Sequence, residues 1–249
     1  MAHVAESTHW YDKSGLPAYE VASKDGSMRP TTLRDARKHG YVPSVTTIIR
    51  SASAPALERW KIQQGIMAAL TLTREPDESD EAFLARVMRD SQEQGKQAAE
   101  RGTEIHAAIQ GYYEGLLPPD EMHPFVKGVK DQVSGVFGEQ DWKAEASFSH
   151  PIGFGGKVDL HCPAFVIDFK GKDFGPDDKL EAYDEHAMQL AAYRHGLNLP
   201  TASAGIVYCS RNNPGLARVC PVSQEALERG WSMFMALFAY WCAKNKYAP

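Results

Sequence analysis

Two aspartates and a lysine occur close together in a stretch that otherwise reads as the inside of a sheet. Residues 155–170 read GGKVDLHCPAFVIDFK, which places Asp159, Asp168 and Lys170 among apolar residues. In a strand, residues two apart share a face, so Asp168 and Lys170 point the same way. A hairpin centred near Pro163 puts Asp159 almost opposite Asp168, with side chains about 5 Å apart.

Two carboxylates held this close repel each other, and burying them is costly unless a positive charge compensates. If Lys170 supplies that charge, the three residues form only a structural salt bridge. A hard divalent cation such as Mg²⁺ is a better source of that charge, because it binds carboxylate oxygens, carbonyls and waters. Glycines precede Asp159 and allow close backbone contact, and Glu145 lies on the preceding strand, where it could face the same cleft. We therefore expect a metal site with Asp159 and Asp168 as ligands.

The segments around these residues predict one α/β (α+β) domain over residues 1–249, in which residues 1–137 are mainly helical and residues 138–249 form a sheet core. We expect helices at about 81–114, 125–137, 178–197 and 224–244, and strands at about 142–148, 153–161, 164–170, 204–211 and 216–222. Alternation in the first strand places Trp142, Ala144, Ala146 and Phe148 on one side.

The segment before the long helix has two start signals. Ser44 can cap a short helix, and Ala54-Pro55 suits the first turn of another. Periodicity predicts that Leu57, Trp60 and Met67 lie on the inner side of that second helix.

Composition limits the classes of function. The 249 residues are 43% hydrophobic, and no apolar run approaches the roughly 20 residues that span a bilayer. The first residues show no secretory signal, and four cysteines without a CxxC pair are typical of reduced thiols. We therefore expect a cytoplasmic protein that does not bind membranes. The net charge of −5 counts against nucleic-acid binding but does not exclude it, because local fields matter more than the sum.

Four motifs in order resemble a known family. Residues 156–160 (GKVDL) and 166–170 (VIDFK) resemble the core of the PD-(D/E)XK nuclease superfamily, and of its RecB-like exonuclease branch in particular. That branch has a Q-x-x-x-Y motif after the lysine strand, matched by Gln189 and Tyr193, and a histidine in a G-T-x-x-H context, matched by His106. The segment from residue 43 to Trp60 is similar to the openings of phage exonucleases and of the mitochondrial genome maintenance exonuclease.

The resemblance implies a restriction-endonuclease-like core, with a mixed central sheet flanked by helices and a helical N-terminal region. It implies a single nuclease domain that acts as a divalent-metal-dependent DNA exonuclease of a phage or prophage, in replication or recombination. The substrate would be single- or double-stranded DNA ends, and a single-strand annealing protein is a candidate partner. Alternatives are a structure- or sequence-specific endonuclease of the same superfamily and a non-catalytic DNA-binding module.

The resemblance also assigns roles to residues. Mg²⁺ or Mn²⁺ would be held by the side chains of His106, Asp159 and Asp168 and by the carbonyl of Phe169. Lys170 would orient or deprotonate the attacking water, or stabilise the developing charge.

The remaining candidates have less defined roles. Gln189 and Tyr193 would contact the DNA backbone or order the metal site. Glu145 is either a group that supports the ligands or a solvent-facing acid. Gly171 departs from relatives, which often have Thr or Ser there. The following basic residues could hold phosphates: Lys157, Lys172, Lys179, Arg194 and Arg211.

Overall fold

Within its described residues, the N-terminal part combines short strands with five α-helices. The structure is a computed structural model that describes residues 9–52 and 55–248, without the side chains of residues 55–57 and 94. The elements are β1 (Trp10–Tyr11), β2 (Glu20–Ala22), β3 (Met28–Pro30), α1 (Leu33–His39), β4 (Val42–Pro43), α2 (Val45–Ile49), α3 (Pro55–Thr71), α4 (Asp80–Tyr113) and, after a 3₁₀ turn at Asp120–Met122, α5 (His123–Phe137). β1 pairs with β4, and β2 pairs with β3, both antiparallel.

The C-terminal part is built on a five-stranded mixed sheet. Its elements are β5 (Lys143–His150), β6 (Phe154–Cys162), β7 (Phe165–Lys172), α6 (Asp184–Gly196), β8 (Ser203–Ser210), β9 (Ala217–Val222) and α7 (Gln224–Asn245). The strands lie in the order β5-β6-β7-β8-β9, and only the β7–β8 pair is parallel. α6 is the crossover that joins these two parallel strands.

Local capping explains where several helices begin. The hydroxyl of Ser44 accepts the Thr47 N–H at the start of α2, and that of Ser79 accepts the Ala82 N–H at the start of α4. α4 then continues through Gly95 and Gly102 without a break. The expectation that α6 begins near residue 178 is wrong, since it begins at Asp184.

Helices cover both faces of the sheet. α6 and α7 pack on one face, over a core that includes Val158, Val166 and Ile206, whereas α4 and α5 pack on the other, over Leu160 and Ile167. The predicted α/β class, with a mixed sheet flanked by helices, is confirmed. None of the helices in the described ranges is both long and apolar enough to cross a bilayer.

The prediction that Trp142, Ala144, Ala146 and Phe148 share one face of β5 is wrong. Ala144 packs with the α4–α5 side of the sheet, whereas Phe148, four residues later, packs with the α6–α7 side. The backbone of Glu145 lies between them with φ of 55°, a left-handed conformation that breaks the alternation of β5.

The expected inward position of Met67 is also wrong, because it is 53% exposed. Trp60 is partly exposed, but its ring lies on the inner side of α3, against Gly95 of α4. The side chain of residue 57 lies outside the described residues.

Candidate metal centre and active site

The sheet loses its regular pairing around Asp159. β5 and β6 pair on both sides of Glu145 and Asp159, but these two residues do not pair with each other. The pairing of β6 with β7 stops at Leu160–Ile167. Beyond it, Oδ2 of Asp159 accepts the backbone N–H of Phe169 at 2.8 Å, so a carboxylate takes the place of a strand carbonyl. The Asp159 carboxylate therefore lies in a gap in the ladder.

α4 brings a histidine to this gap. His106 Nε2 lies 3.1 Å from Asp159 Oδ2, and the His106 ring meets the Phe169 ring edge to face. A Cβ on Gly171 would lie 3.4 Å from the Gly102 Cα, so the helix and β7 approach closely one turn before the histidine. A Cβ at this position would make only ordinary contacts, so the packing does not require glycine at position 171.

Glu145 joins the histidine and Asp159. Ligand atoms of His106, Glu145 and Asp159 all lie within 4.8 Å of one another. The Glu145 side chain is only 9% exposed, and it forms an ion pair with Lys157. Both of its carboxylate oxygens are buried, and apart from the Lys157 ion pair they have no hydrogen-bond partner among the described residues. The strained φ of Glu145 directs this acid into the gap, which the strand pattern alone does not show.

Asp168 belongs to a second, hydrogen-bonded group. Its Oδ1 accepts from Gln189 Nε2 at 2.7 Å, and its Oδ2 lies 2.7 Å from Lys170 Nζ. Gln189 also donates to the Tyr193 hydroxyl at 2.9 Å, and Lys170 Nζ donates to Gln189 Oε1 at 3.2 Å. α6 thus positions Gln189 and Tyr193 one turn apart, against the end of β7.

The titration of these groups follows from burial and mutual charge. Burial raises the pKa of Asp168 to about 6, and the Asp159 charge adds to this rise against the opposing Lys170. Burial also works against ionisation of Asp159, but its bond from His106 and the nearby ammonium of Lys170 outweigh it and lower the pKa. Burial opposes the charge on His106 and on Lys170, yet the surrounding carboxylates outweigh it and raise the pKa of both groups.

The predicted site residues therefore divide into two adjoining sets. His106, Asp159 and Glu145 form the first set, and Asp168, Lys170, Gln189 and Tyr193 form the second. The main chain of Phe169 joins the two, because its N–H binds Asp159. Sequence reasoning missed the ion pair of Lys157 with Glu145. The pairing of β5 with β6 could have indicated this ion pair, because Lys157 lies opposite Ser147, two residues beyond Glu145.

Two recesses reach the site from different sides. A cavity of about 370 Å³ is lined by residues that include His106, Lys170, Gly171 and Arg211. A second cavity of about 330 Å³ is lined by residues that include Ser44, Arg50, Lys157 and Tyr193. The side chains of His106 and Lys170 are each 33% exposed. The recesses therefore give access to the buried carboxylates beside these two side chains.

The basic residues expected to hold phosphates have different surroundings. Arg211 is paired with Asp173 and donates to the Ala98 carbonyl, and Arg194 is buried, with donors to Pro200 and Gln224. Lys172 lies over the rings of Tyr183 and Tyr208. Lys179 is exposed. The structure thus gives Arg194 and Arg211 protein partners of their own.

Comparison with known proteins yields a weak structural likeness and no sequence match. No family model matches the chain, and no curated protein matches its sequence. Among solved structures, an alkaline exonuclease (LHK-Exo) from Laribacter hongkongensis is similar at 12% sequence identity and a TM-score of 0.33, over 76% of this chain and 94% of that one. A TM-score of this size is too low to assign an activity.

Proposed function

We propose that the chain is a divalent-metal-dependent deoxyribonuclease of the PD-(D/E)XK type that acts on DNA ends. One observation carries the proposal. A histidine and two carboxylates present ligand atoms within 4.8 Å of one another, beside a lysine paired with a third, buried carboxylate. Strongly perturbed titratable groups gathered at an open recess are typical of catalytic sites.

The donor set suits a hard or borderline divalent cation. Carboxylate oxygens are the ligands of Mg²⁺ and Mn²⁺, and an imidazole nitrogen adds affinity for Mn²⁺. The buried Oε1 of Glu145, which has no hydrogen-bond donor among the described residues, fits this role, since such an atom is costly without a partner. We assign His106, Asp159 and Glu145 as ligands, with Asp168 and the Phe169 carbonyl as adjoining ligands. A bound ion would act as a Lewis acid on the phosphate and lower the pKa of its water.

Lys170 acts through its charge. Its Nζ lies 2.7 Å from Asp168 Oδ2, beside the candidate ligands, where an ammonium can stabilise developing charge or orient the attacking water. Gln189 holds Asp168 from one side while Tyr193 fixes Gln189. The Q-x-x-x-Y pair therefore positions the lysine and its carboxylate.

The two recesses give a strand a path past the site. Arg50 and Lys157 line one recess, and Lys170 and Arg211 line the other. Phosphate contacts with such cations supply sequence-independent affinity for DNA, despite a net charge of −5. A strand that crosses the gap would present a phosphodiester to the acids between the two recesses.

The test is cleavage of linear and covalently closed circular DNA with Mg²⁺ or Mn²⁺. We expect linear DNA to be degraded from its ends, the closed circle to stay intact and a chelator to abolish the reaction. Asp159→Ala should remove activity while circular dichroism shows an unchanged fold. Nicking of the circle would assign an endonuclease instead. DNA binding without cleavage under any divalent cation would assign a non-catalytic module.

A further inference from the structure

Lys157 is the cation that compensates the buried charge of Glu145. The two side chains form an ion pair between β6 and β5, in which the carboxylate side chain is 9% exposed and the lysine side chain 38% exposed. Apart from this ion pair, the Glu145 oxygens have no hydrogen-bond partner among the described residues. A buried carboxylate is costly without a partner, so Glu145 needs a cation beside it.

The same carboxylate belongs to the candidate metal centre. Ligand atoms of His106, Glu145 and Asp159 lie within 4.8 Å of one another. If this centre binds a divalent ion, the Glu145 carboxylate has to serve both the ion and the ammonium of Lys157. Two cations a few ångströms apart repel each other strongly where water is largely excluded. The ion and Lys157 therefore compete for Glu145.

Lys157 also lines the recess of about 330 Å³ that reaches the site from the side of Arg50. Ser44 and Thr46 line the same recess, and none of the described lining residues is acidic. Because the lysine side chain has a flexible four-carbon stem and is partly exposed, its ammonium can leave Glu145 and stay in this recess. The compensating negative charge must then come from a ligand, and a nucleic-acid phosphate supplies it.

We propose that Lys157 exchanges partners as the active site is loaded. Lys157 holds Glu145 until a divalent ion binds to that carboxylate, and it then pairs with a phosphate of the bound nucleic acid. The proposal rests on the proposed function, because it assumes the metal centre and the nucleic-acid substrate. It gives Lys157 a positioning role that couples the two. Ion and nucleic acid each favour the state in which Lys157 has left Glu145, so each strengthens binding of the other.

Isothermal titration calorimetry with Mn²⁺ alone tests the competition. Lys157→Gln removes the charge but keeps a hydrogen-bond donor for Glu145, so the variant should stay folded and bind Mn²⁺ about tenfold more tightly than the wild type. Lys157→Met, which has no donor, is a second neutral variant and should show the same gain. Lys157→Arg retains the charge and should bind within about threefold of the wild type. Lys143→Met, at an exposed lysine of β5, is the matched control and should leave the affinity unchanged.

Fluorescence anisotropy of a labelled single-stranded oligonucleotide tests the coupling. Ca²⁺ replaces Mn²⁺ in this measurement, and a gel checks that the oligonucleotide stays intact. The ion should strengthen oligonucleotide binding in both proteins, but the gain should be about fivefold larger in the wild type than in Lys157→Gln, since only the wild type has a lysine to transfer to the phosphate.

The outcomes separate this inference from the proposed function. Mn²⁺ affinity that is equal or weaker in both neutral variants would overturn the exchange and make Lys157 a fixed partner of Glu145. An equal gain in Lys143→Met, or the same effect of Ca²⁺ on oligonucleotide binding in wild type and Lys157→Gln, would overturn it as well. DNA cleavage by the wild type would leave the proposed function standing in all three cases. A wild type that binds no Mn²⁺ would contradict the proposed function, and this inference with it.

Discussion

The two halves of the central sheet differ in the completeness of their pairing. β7 and β8 pair along all of β7, from Phe165–Ser203 to Lys172–Ser210, and β8 and β9 pair without interruption. On the other side, β5 and β6 skip Glu145 and Asp159, and β6 pairs with β7 at three positions only. The candidate ligands lie where pairing fails. Because of the gap, the Asp159 carboxylate can accept the Phe169 N–H and also contact His106. In a regular ladder a strand carbonyl would accept that N–H instead.

The largest expected effect is a difference in cleavage rate between alanine variants of two lysines that lie on the same face of β7. Lys170→Ala should lower the rate of DNA cleavage by about 10²–10³-fold, because it removes the ammonium at the reacting phosphate. Lys172→Ala, two residues further and outside the gap, should lower it less than about tenfold. Initial rates on an end-labelled oligonucleotide with Mn²⁺ measure both. Equal losses in the two variants would show that the gap has no special role.

Glu145→Gln tests whether the missing pair in β5–β6 serves metal binding. Removing this buried charge should weaken Mn²⁺ binding by at least about 10–100-fold, the loss typical even of residues that only support the ligands. Isothermal titration calorimetry gives the affinity. The control is Glu139→Gln, an exposed acid before β5, which should bind Mn²⁺ as the wild type does. Unchanged affinity in Glu145→Gln would remove this residue from the ligand set.

The pH dependence of stability should report Asp168. Its folded-state pKa of about 6 lies above the ordinary 3.8, so the folded state holds its proton more tightly. The resulting stability is fully present below pH 3.8 and is lost as the pH rises through about 6. Urea unfolding without divalent ions should therefore show a fall in free energy of unfolding over this window that is absent in Asp168→Asn. The same profile in both proteins would contradict the assignment.

A smaller effect is expected on the α6 side of the gap. Gln189→Leu leaves Oδ1 of Asp168 buried without its donor and should reduce the free energy of unfolding by about 1–3 kcal/mol. Gln110→Leu is the control, because Gln110 donates only to the exposed end of Glu114 on α4. Its change should stay within about 0.5 kcal/mol. A similar loss in both variants, measured by urea unfolding, would mean that the Asp168 contact adds no stability.

The regular half of the sheet could be predicted closely from sequence. The apolar run before Asp168 and the turn residues 212–215 predict β7, β8 and β9 to within about two residues, because local pattern and pairing agree there. The gap at Asp159 could not be predicted, since Val158 and Leu160 flank it like any alternating strand. In the structure Val158 and Leu160 pack into opposite cores, and Glu145 on the neighbouring strand has a left-handed backbone; neither feature has a local sequence signal.

Tertiary contacts explain the other misses. Arg218 donates to the carbonyls of Pro176 and Asp178, and Asn213 donates to that of Phe174, so the segment before α6 is held as a loop and the helix begins late. The candidate site, too, could be predicted only in part. Asp159, Asp168, Lys170 and His106 could be proposed from motifs, but the division into a cation-facing group and a hydrogen-bonded group follows from long-range geometry.

Diffraction from crystals soaked in Mn²⁺ tests the central claim most directly. The account predicts an anomalous peak in the gap between β5, β6 and β7, within ligand distance of His106, Glu145 and Asp159, and its loss in crystals of Asp159→Asn. Mn²⁺ found only at surface acids of an active enzyme would contradict it.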